Sequence, residues 1–106
     1  MNIVQGDNKL TIPISTNMNL ENATVTITVK RGGEIFTKTA TILDIVTGSC
    51  EFSLTNEDLT VAGIYEYQWT AEFTDGRVKS GKKLDTYVSE KLTGTIVTVT
   101  IDGGEF

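Results

Sequence analysis

Few side chains in this chain are able to do chemistry, and nearly all of them are carboxylates. The chain has 106 residues, with no histidine and one cysteine, Cys50. Without histidine there is no Ser–His or Cys–His nucleophile pair, no imidazole proton shuttle and no histidine-based pH switch. One cysteine forms no internal disulfide, and one cysteine without histidine supplies no structural zinc site. Cys50 alternates with Phe52 and Leu54 and reads as a small buried apolar residue. Among the acids, Glu57 and Asp58 are adjacent, in a segment that reads as a turn, where a solvated or capping role accounts for them. Glu66 and Glu72 share the outer face of one expected strand, but six residues of strand is ~20 Å, too far for paired acid–base work. Asp75 and Asp102 do not have the spacing of a calcium loop. No phosphate-loop or dinucleotide-binding motif occurs. Lys82 and Lys83 near Tyr87 are the one combination suited to a nucleic-acid patch, and they sit in an acidic chain. No catalytic, cofactor-binding or metal-binding residue is assigned, no cofactor is expected, and the chain is read as a non-enzyme.

The bulk composition sets the class. With 9 basic and 14 acidic residues the net charge is −5, which disfavours nucleic acid and anionic membranes as partners. An apolar fraction of 39% and a charged fraction of 22% are those of one ordinary globular domain. No stretch approaches the ~20 apolar residues of a membrane helix. The first ten residues, MNIVQGDNKL, lack the basic and apolar regions of a secretory signal, so folding in a cytoplasm is expected. Asn22-Ala23-Thr24 matches a glycosylation acceptor and is read as strand-edge residues instead.

The elements that hold these side chains follow a period of two. Leu10, Ile12 and Ile14 share one face of residues 9–15, and Val25, Ile27 and Val29 alternate with Thr24, Thr26 and Thr28 over 22–30. Cys50, Phe52 and Leu54 alternate over 48–55. Tyr65, Tyr67, Trp69, Ala71 and Phe73 alternate with Glu66, Gln68, Thr70 and Glu72 over 64–73. Such alternation marks strands with one face on a core and one in water. It also explains the 18 threonines, since a β-branched residue with a hydroxyl suits a wet strand face. Arg31-Gly32-Gly33 reads as a hairpin turn between 22–30 and 34–43, and Asp75-Gly76 as another after 64–73. Thr47-Gly48 ends 34–46, and Thr55–Leu59 reads as a turn or one helical turn capped by Thr55 or Asn56. Pro13 inside a strand predicts an edge. Seven to eight strands in ~100 residues predict an all-β, immunoglobulin-like antiparallel β-sandwich.

Three further features are local. Gly63-Ile64-Tyr65 stands after a turn and before a long strand, the place where immunoglobulin-like sandwiches put a tyrosine whose hydroxyl bonds back to the backbone; a plain core tyrosine is the alternative. No Lys or Arg occurs from Thr39 through Gly76, whereas Arg77, Lys79, Lys82, Lys83 and Lys91 follow; this cluster either steers a charged protein partner or is a solvated hairpin. Residues 95–101, TIVTVTI, are uncharged, with Val97, Val99 and Ile101 on one face, and must pair with the domain's own sheet or another chain to avoid aggregation. Residues 1–94 are therefore assigned to the sandwich and 95–106 to an additional strand and flexible tail.

The stretch from Gly6-Asp7 to Ser15, followed by NATVTITVKRGGEIFTKTATILDIVTGSCEFSLTNEDLTVAGIYEYQWTAEFTDGR, resembles the amino-terminal domain of phage baseplate upper proteins (BppU type) from Gram-positive hosts. The resemblance covers roughly residues 5 to 85 and rests on structural motifs. It implies a β-sandwich that anchors a longer receptor-binding assembly to the baseplate of a phage or prophage tail. The implied partners are other tail and baseplate proteins, with a homo-oligomer through edge segments 9–15 or 95–101 as a further option. The implied location is the host bacterial cytoplasm during assembly, then the virion tail. After residue 90 the chain departs from the family, which continues into a linker and further domains; it reads as a fragment or a small stand-alone tail protein. The alternative function is a carbohydrate-binding sandwich on the host surface, which would need exposed aromatics where Tyr65, Tyr67, Trp69 and Phe73 instead line the expected core face.

Overall fold

The computed structural model describes residues 2–92. They form β1 (Ile3–Val4), β2 (Leu10–Ser15), β3 (Ala23–Arg31), β4 (Glu34–Thr39), β5 (Thr41–Asp44), β6 (Ser49–Leu54), β7 (Gly63–Phe73), β8 (Val78–Ser80) and β9 (Leu84–Ser89). The described residues contain no helix. The larger sheet has the order β1-β9-β7-β3-β4, with β8 alongside the far half of β7, and the smaller sheet has the order β2-β6-β5. Their apolar faces meet in one core, giving the all-β sandwich that the alternation predicts.

The centre is the β3–β7 pair, in register from Ala23↔Phe73 to Arg31↔Tyr65. Val25, Ile27 and Val29 of β3 are buried beside Tyr65, Trp69, Ala71 and Phe73 of β7. Cys50, Phe52 and Leu54 of β6 and Ile12 and Ile14 of β2 close over them from the smaller sheet. Tyr67 is half-buried and meets the Phe52 ring at a centroid distance of 5.6 Å. Pro13 lies on β2, an edge strand as expected, where its missing N–H costs no ladder bond. Outside the core, hydroxyls pair across strands, Thr70 with Ser80 at 3.0 Å and Thr11 with Ser53 at 3.4 Å.

Three details go beyond the alternation. The expected strand 34–43 divides at Ala40, because β4 pairs with β3 in one sheet and β5 with β6 in the other. Ala40, buried at the crossing, donates its N–H to the Val25 carbonyl. The sandwich also contains one parallel pair, β1 with β9, so it is not antiparallel throughout. Finally, β8 and β9 are one strand path along β7 interrupted by a bulge. Ser80 is paired with Thr70 and Leu84 with Tyr67, so Gly81–Lys83 face only Gln68 and Trp69. Division and bulge together explain nine strands where seven to eight are expected. The expected strand 95–101 and the boundary after residue 94 lie outside the described residues.

Two glycines are fixed by close approach. A side chain at Gly81 would overlap the Trp69 indole, and Gly81 N–H donates to the Trp69 carbonyl at 3.0 Å. Gly48 has φ +79°, and its backbone lies against Thr16, whose hydroxyl donates to the Gly48 carbonyl at 3.0 Å. Trp69 is thus packed between the sheets on one side and the bulge on the other. Trp69→Ala is expected to cost about 3–5 kcal/mol, read as a lowered urea midpoint. A midpoint equal to that of the unaltered chain would show that the indole is not part of the core.

Candidate functional site

The densest polar constellation sits where the chain crosses from β6 to β7. Thr55 starts a single turn in which its carbonyl accepts from the N–H groups of Asp58 (3.0 Å) and Leu59 (3.2 Å). The Asp58 carboxylate reaches back to Thr55, accepting from its N–H at 2.8 Å and its hydroxyl at 3.0 Å, the backward half of a capping box. Lys38, on the inner face of β4, adds an ion pair to the same Asp58 oxygen at 2.6 Å. Leu59, fully buried, pins the turn to the core.

The carbonyls of this turn face inward and need donors. Tyr65 supplies one, its hydroxyl donating to the Val61 carbonyl at 2.5 Å, with the Asp58 carbonyl also near, at 3.1 Å. This is the tyrosine corner that Gly63-Ile64-Tyr65 predicts. Arg31 supplies the other, its guanidinium donating to the Asp58 carbonyl and, at 3.2 Å, to that of Glu57. Arg31 continues the inward stripe of Val25, Ile27 and Val29, so a cation stands where a core residue is due. Its guanidinium lies 5.1 Å from the centre of the Phe36 ring, which also faces the Lys38 ammonium at 5.8 Å.

The carboxylates singled out from the sequence are not brought together for catalysis. Asp58 is held by Lys38 and Thr55, while Glu57 is exposed and contributes only its carbonyl. Glu66 pairs with Lys83 at 2.5 Å, which holds its carboxyl below the usual range and raises the Lys83 ammonium in turn. Glu72 stays exposed near the far end of the same strand. Asp75 pairs with Arg77 at 2.8 Å, and the Arg77 N–H and guanidinium lower its carboxyl. Cys50 is buried, and burial pushes its thiol up, away from the reactive thiolate. Lys83 is turned to Glu66, and Tyr87 stands opposite Ile64 on the outer face. Among the described residues no three metal-ligating side chains cluster.

Two surface features remain. A cleft of about 610 Å³ lies between the segment after β2 and the β7–β8 hairpin. Trp69, Phe73 and Met18 make its apolar floor, and Arg77 and Lys79 line its basic side. The Arg77 guanidinium stacks 4.5 Å above the Phe73 ring. Elsewhere, Leu43, Ile45 and Val46 stand exposed together at the β5–β6 turn. Sequence reasoning missed Arg31 and Lys38 as partners of the corner. The available signal was their parity: each lies on an inward-facing position of its strand, where a buried acceptor is required.

Two outcomes test the corner. Tyr65→Phe leaves the Val61 carbonyl without its side-chain donor and the Asp58 carbonyl with Arg31 alone, and is expected to cost about 1–3 kcal/mol in denaturant unfolding; no change would show the hydroxyl to be idle. For Asp58, burial pushes the carboxyl up, but the hydrogen bonds and charge of Lys38 together with the Thr55 hydrogen bonds outweigh it and hold it below the usual range. Its stabilisation is therefore complete above the unfolded value of about 3.9 and is lost as pH falls through the lower folded value. Unfolding midpoints of Asp58→Asn and the unaltered chain should differ most near neutral pH and converge at acid pH. A gap that stays constant would contradict the assignment.

A family model described as the BppU N-terminal domain matches residues 3–102, nearly the whole chain. No curated protein matches it. With a tyrosine corner, a sandwich core and a family match over this span, the chain belongs to the BppU N-terminal domain family of phage baseplate structural domains.

Proposed function

We propose that the domain is a non-enzymatic assembly module that holds its place in a phage or prophage tail baseplate through protein–protein contacts. The observation that carries this reading is the apolar tip at the β5–β6 turn. Leu43, Ile45 and Val46 are 58%, 50% and 73% exposed within four consecutive residues. Single exposed apolar residues are ordinary, but a contiguous group marks a contact surface.

The tip is rigid. The Asp44 carboxylate accepts from the N–H groups of Val46 at 3.0 Å and Thr47 at 3.2 Å. The Asp44 carbonyl accepts from Gly48, and the Ile45 carbonyl accepts from Leu20. A loop ordered before binding loses little entropy on contact, which favours a specific docking site. The occupant we assign is a neighbouring baseplate protein. Tyr65, Trp69 and Phe73 are buried, and where Trp69 and Phe73 reach the cleft the Arg77 guanidinium stacks on the Phe73 ring, so we place the contacts on proteins and not on host glycans. The host cytoplasm is where the module would be assembled, and the virion tail is where it would remain.

The test is co-expression of the chain with each tail protein encoded beside its gene, followed by size-exclusion chromatography. One of them is expected to form a complex, and the Ile45→Asp/Val46→Asp chain to bind it at least about tenfold more weakly at an unchanged melting temperature. Failure of every candidate to bind, or binding indifferent to the double substitution, would overturn the reading.

A further inference from the structure

The basic residues of this acidic chain gather in one place. Thr39 through Gly76 contains no Lys or Arg, and Arg77, Lys79, Lys82 and Lys83 then follow along β8 and the bulge after it. Lys83 is taken by Glu66, and Arg77 meets Asp75 through its Nε. Lys79 enters no ion pair among the described residues. Its register fixes the side on which it stands. Val78 is opposite exposed Glu72, and Ser80 is opposite Thr70, with their hydroxyls 3.0 Å apart on the outer face. Lys79 is opposite Ala71, which is fully buried, so Lys79 belongs to the inner side of β8. An ammonium thus stands on the apolar side of the sheet, at the flank of the sandwich.

That flank holds the cleft of about 610 Å³, a volume ordinary for a binding site. The cleft runs between β8, which pairs only with β7, and the segment that follows β2, the outermost strand of the smaller sheet. Both strands keep one backbone edge unpaired among the described residues. An unpaired edge beside an apolar floor accepts an extended chain. Lys79 restricts which chain that is. A wholly apolar segment would bury its ammonium unpaired, which is unfavourable, whereas a segment with a carboxylate at that position would pair it. Residues two apart on an extended chain share a face, ~7 Å from each other. One can therefore rest on Trp69 and Phe73 while the next on the same face meets Lys79. The chain as a whole carries a net charge of −5 and repels an acidic partner, so its field turns such a partner toward this basic flank.

We propose that the cleft receives an extended segment of a partner protein, with a large apolar side chain on the Trp69–Phe73 floor and a Glu or Asp paired with Lys79. Arg77, stacked on Phe73, forms the second basic wall beside the same carboxylate. This rests on the reading of the domain as an assembly module and adds a recognition site of defined chemistry to the apolar tip. The test below uses no tail protein, so a cleft that fails it leaves the co-expression result at the tip standing, and the reverse holds too.

The test titrates the full chain with the blocked peptide acetyl-Glu-Ser-Leu-Ser-Glu-amide and with acetyl-Lys-Ser-Leu-Ser-Lys-amide. Trp69 is the one tryptophan of the chain, so its emission reports on the cleft floor directly. The glutamate peptide is expected to shift that emission saturably, and the lysine peptide to bind at least about tenfold more weakly. In the Lys79→Glu chain this preference should shrink by about tenfold or more, at an unchanged melting temperature because Lys79 is exposed. No saturable shift with the glutamate peptide, equal binding of the two peptides, or a preference indifferent to Lys79→Glu would overturn the proposal. Emission that changes with protein concentration alone would assign the cleft to a second copy and overturn it as well.

Discussion

A turn that crosses between two sheets has inward carbonyls and no ladder to receive them. That constraint governs the β6–β7 crossing, where the carbonyls of Asp58 and Val61 point toward the core. A buried backbone acceptor without a donor costs as much as a lost hydrogen bond, so donors must be brought in from elsewhere. Tyr65 brings one from β7 and Arg31 another from β3. The Asp58 side chain then ties the turn to Lys38 on β4. Three neighbouring strands of the larger sheet are thus registered against one turn of the connection, and β7, the strand that carries most of the aromatic core, starts from it.

The alternation of apolar and polar residues made most of this visible beforehand. It exposed the inner faces of β2, β3, β6 and β7, because each of these strands has one wet and one dry face. Gly63-Ile64-Tyr65 located the corner, and Pro13 marked an edge. What the pattern hid has physical causes. A strand that changes sheets, as at Ala40, keeps its extended backbone and alternates on both sides of the crossing. A two-residue strand such as β1 is too short to alternate, so its parallel pairing with β9 left no trace. Leu20 and Leu59 are buried from turns, where no period applies. Arg31 and Lys38 look like surface charges until a sheet partner fixes which way they point.

Several of the carboxylates that stand out in the sequence are taken up in ion pairs. Asp58, Glu66 and Asp75 each face a cation from a neighbouring strand or the same turn. Two of these pairs are at the surface and add little stability. The pair at Asp58 is half-sheltered and works through geometry, since Lys38 points inward from an edge strand. An inward charge on an edge also discourages another sheet from pairing there. Apolar residues outside the core differ too: those at the β5–β6 turn stand on a hydrogen-bonded loop, whereas Leu84 lies on β9 in register with half-buried Tyr67.

The parallel contact of β1 with β9 has a mechanical consequence. Ile3 is paired with Val88 and Val4 with Ser89, and the Gln5 N–H donates onward to the Ser89 carbonyl at 2.8 Å. The two strands run in the same direction, one near the beginning of the described chain and one near its end. Tension applied before β1 and after β9 pulls them past each other along their length. The bonds between them are then strained together in shear, whereas an antiparallel hairpin under the same tension would open one bond at a time. Such a geometry makes this short pairing resist tension between its two ends more than its length of two residues suggests.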